Sequence, residues 1–394
     1  MISQRQLFLK NVAQTSDAPL MLEIEKAEGL YLFDKEGKKY IDLISGISVS
    51  NVGHCHPKVV EAVQKQATRY MHTIVYGEFV LSPQTELAAY ITALLPENLD
   101  NVYFVNSGTE ATEGAMKVAK RYTQRSEIIS CKNAYHGSTQ GSLSILGDEY
   151  FKRNYRPLLP NTSLIRYNNF DDISKITCKT AAVFMEVVQA EAGIVVPEEG
   201  YLQAVRERCN ETGTLLVFDE IQTGCGRTGK MFGFEHSGVI PDILLLAKGL
   251  GGGMPIGVFV TSKEIMSVIK DNPFLGHITT FGGHPVCCAA ALASLKVIHE
   301  NKLFEEVSTK EQLFLSKLKQ AKIKKIHSAG LMMALYLESF EEVQKVIHYC
   351  LANGLITDWF LFANNCIRIA PPLIISEQEI IESCAIICDG LEIL

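Results

Sequence analysis

An apolar run, Ile243–Ala247, stops at Lys248 and passes straight into Gly249-Leu250-Gly251-Gly252-Gly253. A lysine at the end of a buried strand is costly to keep as a cation unless it is paired, so its ammonium pKa is expected to fall. A lysine that is neutral part of the time is a nucleophile of the kind that Schiff-base chemistry needs. The glycines let the backbone turn sharply and leave room for a ligand. Alone, Lys248 reads more simply as a strand cap that snorkels to water. What stands at the other strand ends changes that reading.

Asn101–Asn106 ends in Ser107-Gly108-Thr109-Glu110, where a strand turns through glycine into a helix. Ser107 or Thr109 can cap that helix, and Glu110 has capping-box spacing from Ser107. Free N–H groups and two hydroxyls there suit a phosphate. Glu127–Cys131 runs into Asn133-Ala134-Tyr135-His136-Gly137-Ser138, which offers an aromatic ring for stacking on a flat heterocycle. Ala181–Val187 carries Glu186, followed by Gln189 and Glu191, and acids in such a place need partners. Thr214–Phe218 ends in Asp219-Glu220-Ile221-Gln222, and an aspartate there can pair with a protonated ring nitrogen. Each of these segments has a plain structural explanation; a phosphate grip, a ring face, a ring-nitrogen partner and a lysine together are what pyridoxal 5′-phosphate requires.

Two other patterns invite different chemistry. Gly224-Cys225-Gly226-Arg227-Thr228-Gly229-Lys230 has the glycine and lysine spacing of a phosphate-binding P-loop. Met231 stands where that motif needs a hydroxyl for magnesium, and no good helix follows, so a nucleotide hydrolase is only the alternative from another class. His54-Cys55-His56 suggests a metal, but no third ligand is near, and loop histidines with backbone partners are expected; no metal site is assigned.

The elements that must position these residues follow a strand, loop, helix rhythm. Strands are expected at Asn101–Asn106, Glu127–Cys131, Ser163–Tyr167, Ala181–Val187, Thr214–Asp219, Ile243–Ala247 and Ile256–Val260. Several are continuous apolar runs, as strands covered on both faces should be. Helices such as Glu110–Gln124 and Tyr201–Thr212 lie between them, which predicts an α/β unit with a mainly parallel seven-stranded sheet and helices on both faces. Ligands in such sheets bind beyond the carboxyl ends of the strands. Helices are also expected from Pro57 and over Pro83–Leu95, and a hairpin over Gly29–Asp42. Beyond about residue 300, helices Leu303–Gln320 and Glu341–Asn353 alternate with short strands near Gly330–Glu338 and Cys366–Ile369. The expected division is an arm and hairpin over 1–45 that joins the small domain, a large ligand-binding domain over 46–300, and a small α+β domain over 301–394.

Composition narrows the class of protein. With 394 residues, 47% of them hydrophobic, the chain can bury a large core. A net charge of −7 provides no basic field for nucleic acid. No leader-like or membrane-spanning stretch is seen, and 11 cysteines without metal spacing fit a reduced, cytoplasmic setting.

The most specific segments are Asn106-Ser107-Gly108-Thr109-Glu110-Ala111, Phe218–Gly224 with Gly226–Gly229, Ala247-Lys248-Gly249-Leu250 and Thr279-Thr280-Phe281-Gly282-Gly283. In this order and spacing the chain resembles the class III aminotransferases of the ornithine, acetylornithine and 4-aminobutyrate type, pyridoxal phosphate enzymes of fold type I. The likeness runs from about Gly29 to Pro372. It implies that Lys248 is the Schiff-base lysine and proton shuttle, and that Asp219 holds the pyridine nitrogen. It also implies Gln222 on the ring hydroxyl, Tyr135 and Ile221 on the two ring faces, and Ser107, Gly108 and Thr109 on the phosphate. His136 and Glu186 belong with the cofactor-binding set. Thr280 would reach the phosphate of a neighbouring subunit, so a homodimer with interfacial sites is implied. Arg368 would grip a substrate carboxylate by a bidentate pair, and Glu191 would mask that arginine when the substrate lacks one.

The resemblance implies a ping-pong transaminase that moves an amino group from an ω-amino acid or amine to a 2-oxo acid such as 2-oxoglutarate. Aminomutases and racemases share the fold and cofactor and form the alternative; Arg368 with Glu191 favours transamination over them. The family pattern is incomplete at one place. Its members usually carry arginine after the His-Gly of the Tyr135 loop, and here Ser138 stands there; Ile47 also replaces a tyrosine of the ornithine enzymes. The amino donor is therefore left open, with Lys152, Arg153 and Arg156 as candidates for the missing charge.

Overall fold

A computed structural model describes residues 2–394. Its centre is a seven-stranded sheet in the order Asn101–Val105, Gly257–Thr261, Ile243–Leu246, Leu215–Asp219, Thr180–Glu186, Glu127–Cys131 and Thr162–Ile165. These are the seven strands expected, with ends shifted by one or two residues. Only Gly257–Thr261 runs against its neighbours; the remaining pairings are parallel. Thr180–Glu186, Leu215–Asp219 and Ile243–Leu246 are buried along their whole length, which is why they read as unbroken apolar runs. Fully buried side chains such as Phe184, Phe218 and Phe259 each contribute about 1.5–3 kcal/mol from burial.

Helices cover both faces. Gly108–Thr123 buries Ala111, Ala115, Val118 and Ala119 against the sheet. Pro57–Arg69 and Ser82–Ala93 begin at or next to prolines, where a missing N–H costs nothing. A four-stranded antiparallel sheet follows later in the chain, ordered Lys325–Ser328, Met333–Tyr336, Ala363–Ile369, Asp358–Phe360. The expected hairpin is Tyr31–Asp34 against Lys39–Asp42. It lies in a third sheet, where Lys39–Asp42 pairs in parallel with Leu355–Ile356. The first and last parts of the chain are thus hydrogen-bonded to one another.

The expected helix over Leu303–Gln320 is two pieces, a 3-10 turn Leu303–Glu306 and a helix Val307–Lys317. Among the described residues, no helix is long and apolar enough to cross a membrane. No cluster of three metal-type ligands occurs among them either. His54 does not take a backbone partner as expected; its Nε2 lies 2.8 Å from Asp42, while His56 accepts the N–H of Lys58 and caps the helix from Pro57. All eleven cysteines are free thiols.

Candidate active site

The carboxyl ends of adjacent strands open on one cavity of about 520 Å³. Asp219 ends the strand Leu215–Asp219 and pairs in register with Glu186 on one side and Leu245 on the other. Three residues beyond Leu245, Lys248 begins a 3-10 turn with φ of 44°. That left-handed conformation is uncommon for a long side chain and is held only where the surroundings dictate it. Ser107, Gly108, Thr109, Tyr135, His136, Glu186, Asp219, Ile221, Gln222 and Lys248 all line the cavity. Arg368 and Glu191 do not line it directly, but Gln222 Nε2 reaches Glu191 Oε1 at 3.3 Å. Thr280 is the outlier: it lies on an exposed stretch and not at this cavity.

Ser107 caps the helix Gly108–Thr123 through Oγ, which accepts the N–H of Glu110. The expected reciprocal contact is different. Glu110 reaches one residue further back and accepts from both the backbone N–H and the side-chain amide of Asn106. Thr109 Oγ1 is 2.8 Å from Thr139 Oγ1 and 2.9 Å from Ser142 Oγ. A side chain at Gly108 would bring Cβ within 2.7 Å of Ile221 Cδ1, closing the space in front of the helix end. Free N–H groups at the start of a 16-residue helix favour an anion there.

His136 and Asp219 form a buried pair, Nδ1 to Oδ2 at 2.7 Å, and Asp219 Oδ1 accepts the N–H of Ile221. His136 Nε2 is buried with no partner among the described residues. Burial pushes the His136 imidazolium down, but the Asp219 carboxylate and then Glu186 outweigh it, and its pKa ends above the ordinary value. Glu186 accepts the N–H of Tyr135 at 3.1 Å and that of Ala190 at 2.9 Å. Burial and the nearby Asp219 push its carboxyl up to about 7, against the pull of His136. Lys248 forms no ion pair among the described residues, and burial lowers its ammonium below the ordinary range, with Glu191 pulling the other way. The direction is the one expected for a lysine at the end of a buried strand.

Arg368 donates from Nη1 and Nη2 to the two carboxylate oxygens of Glu191, each at 2.9 Å. It also donates from Nε to Asp358 at 2.8 Å and from Nη2 to the carbonyl of Trp359. Burial raises the Glu191 carboxyl, but Arg368 overcomes that and holds it at about 2. The Asp358 carboxyl goes the other way, up to about 6, because burial exceeds what its single contact with Arg368 returns. Asp358 was not singled out from sequence; the signal available was an acid at the start of a short strand facing the arginine strand.

Ser138 lines the cavity with its Oγ 3.0 Å from the Tyr135 hydroxyl. None of Lys152, Arg153 and Arg156 lines it. Lys152 is buried on the carbonyl of Leu146, Arg156 is paired with Glu149, and Arg153 lies over the ring of Tyr150. The P-loop reading fails on geometry as well. Arg227 is fully buried and donates to the carbonyls of Leu331 and Pro371 and to Asn51 Oδ1, so this segment ties distant parts of the chain together.

Comparison with known proteins says which family builds such a site. The profile of the aminotransferase class-III family matches residues 12–391. The chain belongs to the class-III aminotransferases. Acetylornithine aminotransferase of Methanocaldococcus jannaschii is 41% identical over 373 residues, covering 92% of this chain and 91% of that protein. The enzyme of the same name from Methanopyrus kandleri is 39% identical over 369 residues, covering 92% of each. Among solved structures, a transaminase from the marine bacterium Virgibacillus superposes with a TM-score of 0.92 at 30% identity, covering 98% of both chains. The ornithine aminotransferase of Toxoplasma gondii gives 0.91 at 30% identity, with 98% of this chain and 93% of that one covered. The fold expected from the resemblance, fold type I, is the fold found. This aminotransferase therefore transfers amino groups, and the mutase, racemase and nucleotide-hydrolase alternatives are not favoured.

Proposed function

We propose that this aminotransferase holds pyridoxal 5′-phosphate in the cavity at Lys248. It takes an amino group from an ω-amino acid or amine of the acetylornithine or ornithine kind and passes it to a 2-oxo acid such as 2-oxoglutarate. The observation that carries the reading is the convergence of Asp219, Lys248 and the Ser107–Thr109 turn on one cavity. A flat phosphorylated heterocycle fits this lining: Gly108 keeps the helix end open, and Tyr135 and Ile221 offer two faces. When bound, the cofactor supplies an aldehyde that accepts amino groups and a ring that withdraws electrons from the reacting carbon.

The remaining work falls to the chain. Ser107, Gly108 and Thr109 hold the phosphate with N–H groups and hydroxyls at the positive end of a helix. Asp219, oriented by His136, keeps a proton on the ring nitrogen. Gln222 meets the ring hydroxyl, and Glu186 fixes Tyr135 through its N–H. Lys248, with its lowered pKa, carries the proton to and from the substrate carbon at Nζ. Arg368 grips the carboxylate of the 2-oxo acid. Glu191 covers it when the amine substrate has no carboxylate to place there, which matches their bidentate pairing.

Thr280, exposed and away from its own cavity, serves a second copy of the chain in a homodimer. The matching division is a cofactor-binding domain at 46–300, with 1–45 and 301–394 forming the arm and small domain. A cytoplasmic setting is proposed from the eleven free thiols. The test is a half-reaction panel on cofactor-loaded protein with ornithine, N-acetylornithine, lysine, 4-aminobutyrate, putrescine and glutamate, each alone. Conversion of the cofactor band by glutamate and by one ω-amine is the expected result. A band that no amine changes would overturn the reading.

A further inference from the structure

The guanidinium of Arg368 is held by two acids that do unequal jobs. Glu191 takes the Nη1/Nη2 edge, the fork that matches a carboxylate. Asp358 takes Nε from the side. The strand pairing explains the placement: Asp358 lies directly opposite Arg368 across the antiparallel strands Asp358–Phe360 and Ala363–Ile369, so both side chains stand on one face. The carbonyl of Trp359 takes a further Nη2 proton, and the Thr357 hydroxyl donates to the Arg368 carbonyl. Arg368 is 3% exposed, so it must stay paired whenever Glu191 leaves.

We propose that Asp358 is a positioning residue: it holds Arg368 by Nε and so keeps the Nη1/Nη2 edge fixed for one carboxylate at a time, that of Glu191 or that of the acceptor substrate. This rests on the role of Arg368 proposed above. Its consequence is asymmetric. Besides the two Arg368 donors, Glu191 accepts from the N–H of Leu361 at 3.1 Å and from Gln222 Nε2 at 3.3 Å, and its own carbonyl accepts the N–H of Phe362. The mask is therefore anchored even where the arginine wavers. An incoming carboxylate that displaces Glu191 depends on the fork itself. Loosening the fork costs the substrate more than the mask, and the exchange moves toward the masked state.

The test compares D358A and D358N with the wild type, all cofactor-loaded, in two measurements. In the glutamate half-reaction, D358A should raise the half-saturating concentration about tenfold with the maximal rate nearly unchanged, because binding is lost equally in ground and transition states. D358N keeps an oxygen acceptor for Nε and should recover most of that loss. Titration with glutarate, a dicarboxylate that cannot react, should show the same order of affinities by calorimetry. Equal glutarate affinity in D358A and wild type overturns the proposal, as does a D358N as weak as D358A. A fall in maximal rate without a change in half-saturation would also overturn it. If glutamate fails to react with the wild type, the acceptor reading falls, while the glutarate titration still decides the role of Asp358.

Discussion

Glu186 and Glu191 stand five residues apart in one run of chain, both buried, yet their carboxyls move in opposite directions. Glu186 is held by backbone N–H groups beside Asp219 and His136, and burial carries it up to about 7. Glu191 faces the full edge of a guanidinium and is held at about 2. Burial is common to both, so the partner decides. Around Asp219 the chain gathers like charges and one imidazole, an arrangement suited to sharing protons. Around Arg368 it gathers a cation between two acids, an arrangement suited to exchanging one carboxylate for another. Lys248 is under the influence of both groups.

The largest effect should come from the residue between them. K248A should lower exchange between glutamate and 2-oxoglutarate by about 10⁴-fold, measured as turnover of cofactor-loaded protein; normal turnover would mean that the two clusters do not meet in one working centre. D219N keeps the shape of the proton-sharing cluster but removes its charge, and should slow the same exchange by about 10²–10³-fold. E191Q attacks the other cluster. It should destabilise the fold by about 3 kcal/mol in urea unfolding at pH 7, since a buried guanidinium loses its stronger partner. An unchanged midpoint would show that Asp358 alone satisfies Arg368.

The smallest effect sharpens the contrast by pH. Because the folded pKa of Glu186 is raised from 4.5 to about 7, its contribution is fully present below about pH 4.5 and is lost as pH rises through about 7. E186Q removes that loss, so the stability of variant relative to wild type should rise by about 2.5 kcal/mol between pH 5 and pH 8. Glu220, also raised to about 7, is present in both proteins and cancels. Glu191 has the opposite sign: its contribution is lost only as pH falls from about 4.5 toward about 2. A flat difference for E186Q across pH 5 to 8 would remove the contrast between the two acids.

The proton-sharing cluster was legible in the sequence because parallel strands buried on both faces leave long apolar runs, and the residues just past each run mark the ligand side. Lys248, Asp219 and Tyr135 were found that way. The carboxylate-exchanging cluster was only half legible. Arg368 and Glu191 came from family likeness, and Asp358 was missed because the strand Asp358–Phe360 is three residues long and shows no period. Arg227 was obscured by a spacing that imitates a phosphate loop; only the fold brings Asn51, Leu331 and Pro371 to its guanidinium. The helix Glu377–Glu392 went unnamed although Ser376 and Glu379 form a capping box at its start. Leu355–Ile356 is two residues long, too short to announce its parallel pairing with Lys39–Asp42.

That last pairing sets a timetable for synthesis. The hairpin strand around Ile41 leaves the ribosome early, but its hydrogen-bonding neighbour, Leu355, is made about 310 residues later. At ordinary rates of about 5–20 residues per second, the strand edge waits roughly 15 to 60 seconds for its partner. During that interval the large sheet can form while the hairpin lacks its closing strand. An unpaired edge is an invitation to association with other chains. The third sheet therefore closes only after Leu355–Ile356 has been made, long after its other strands.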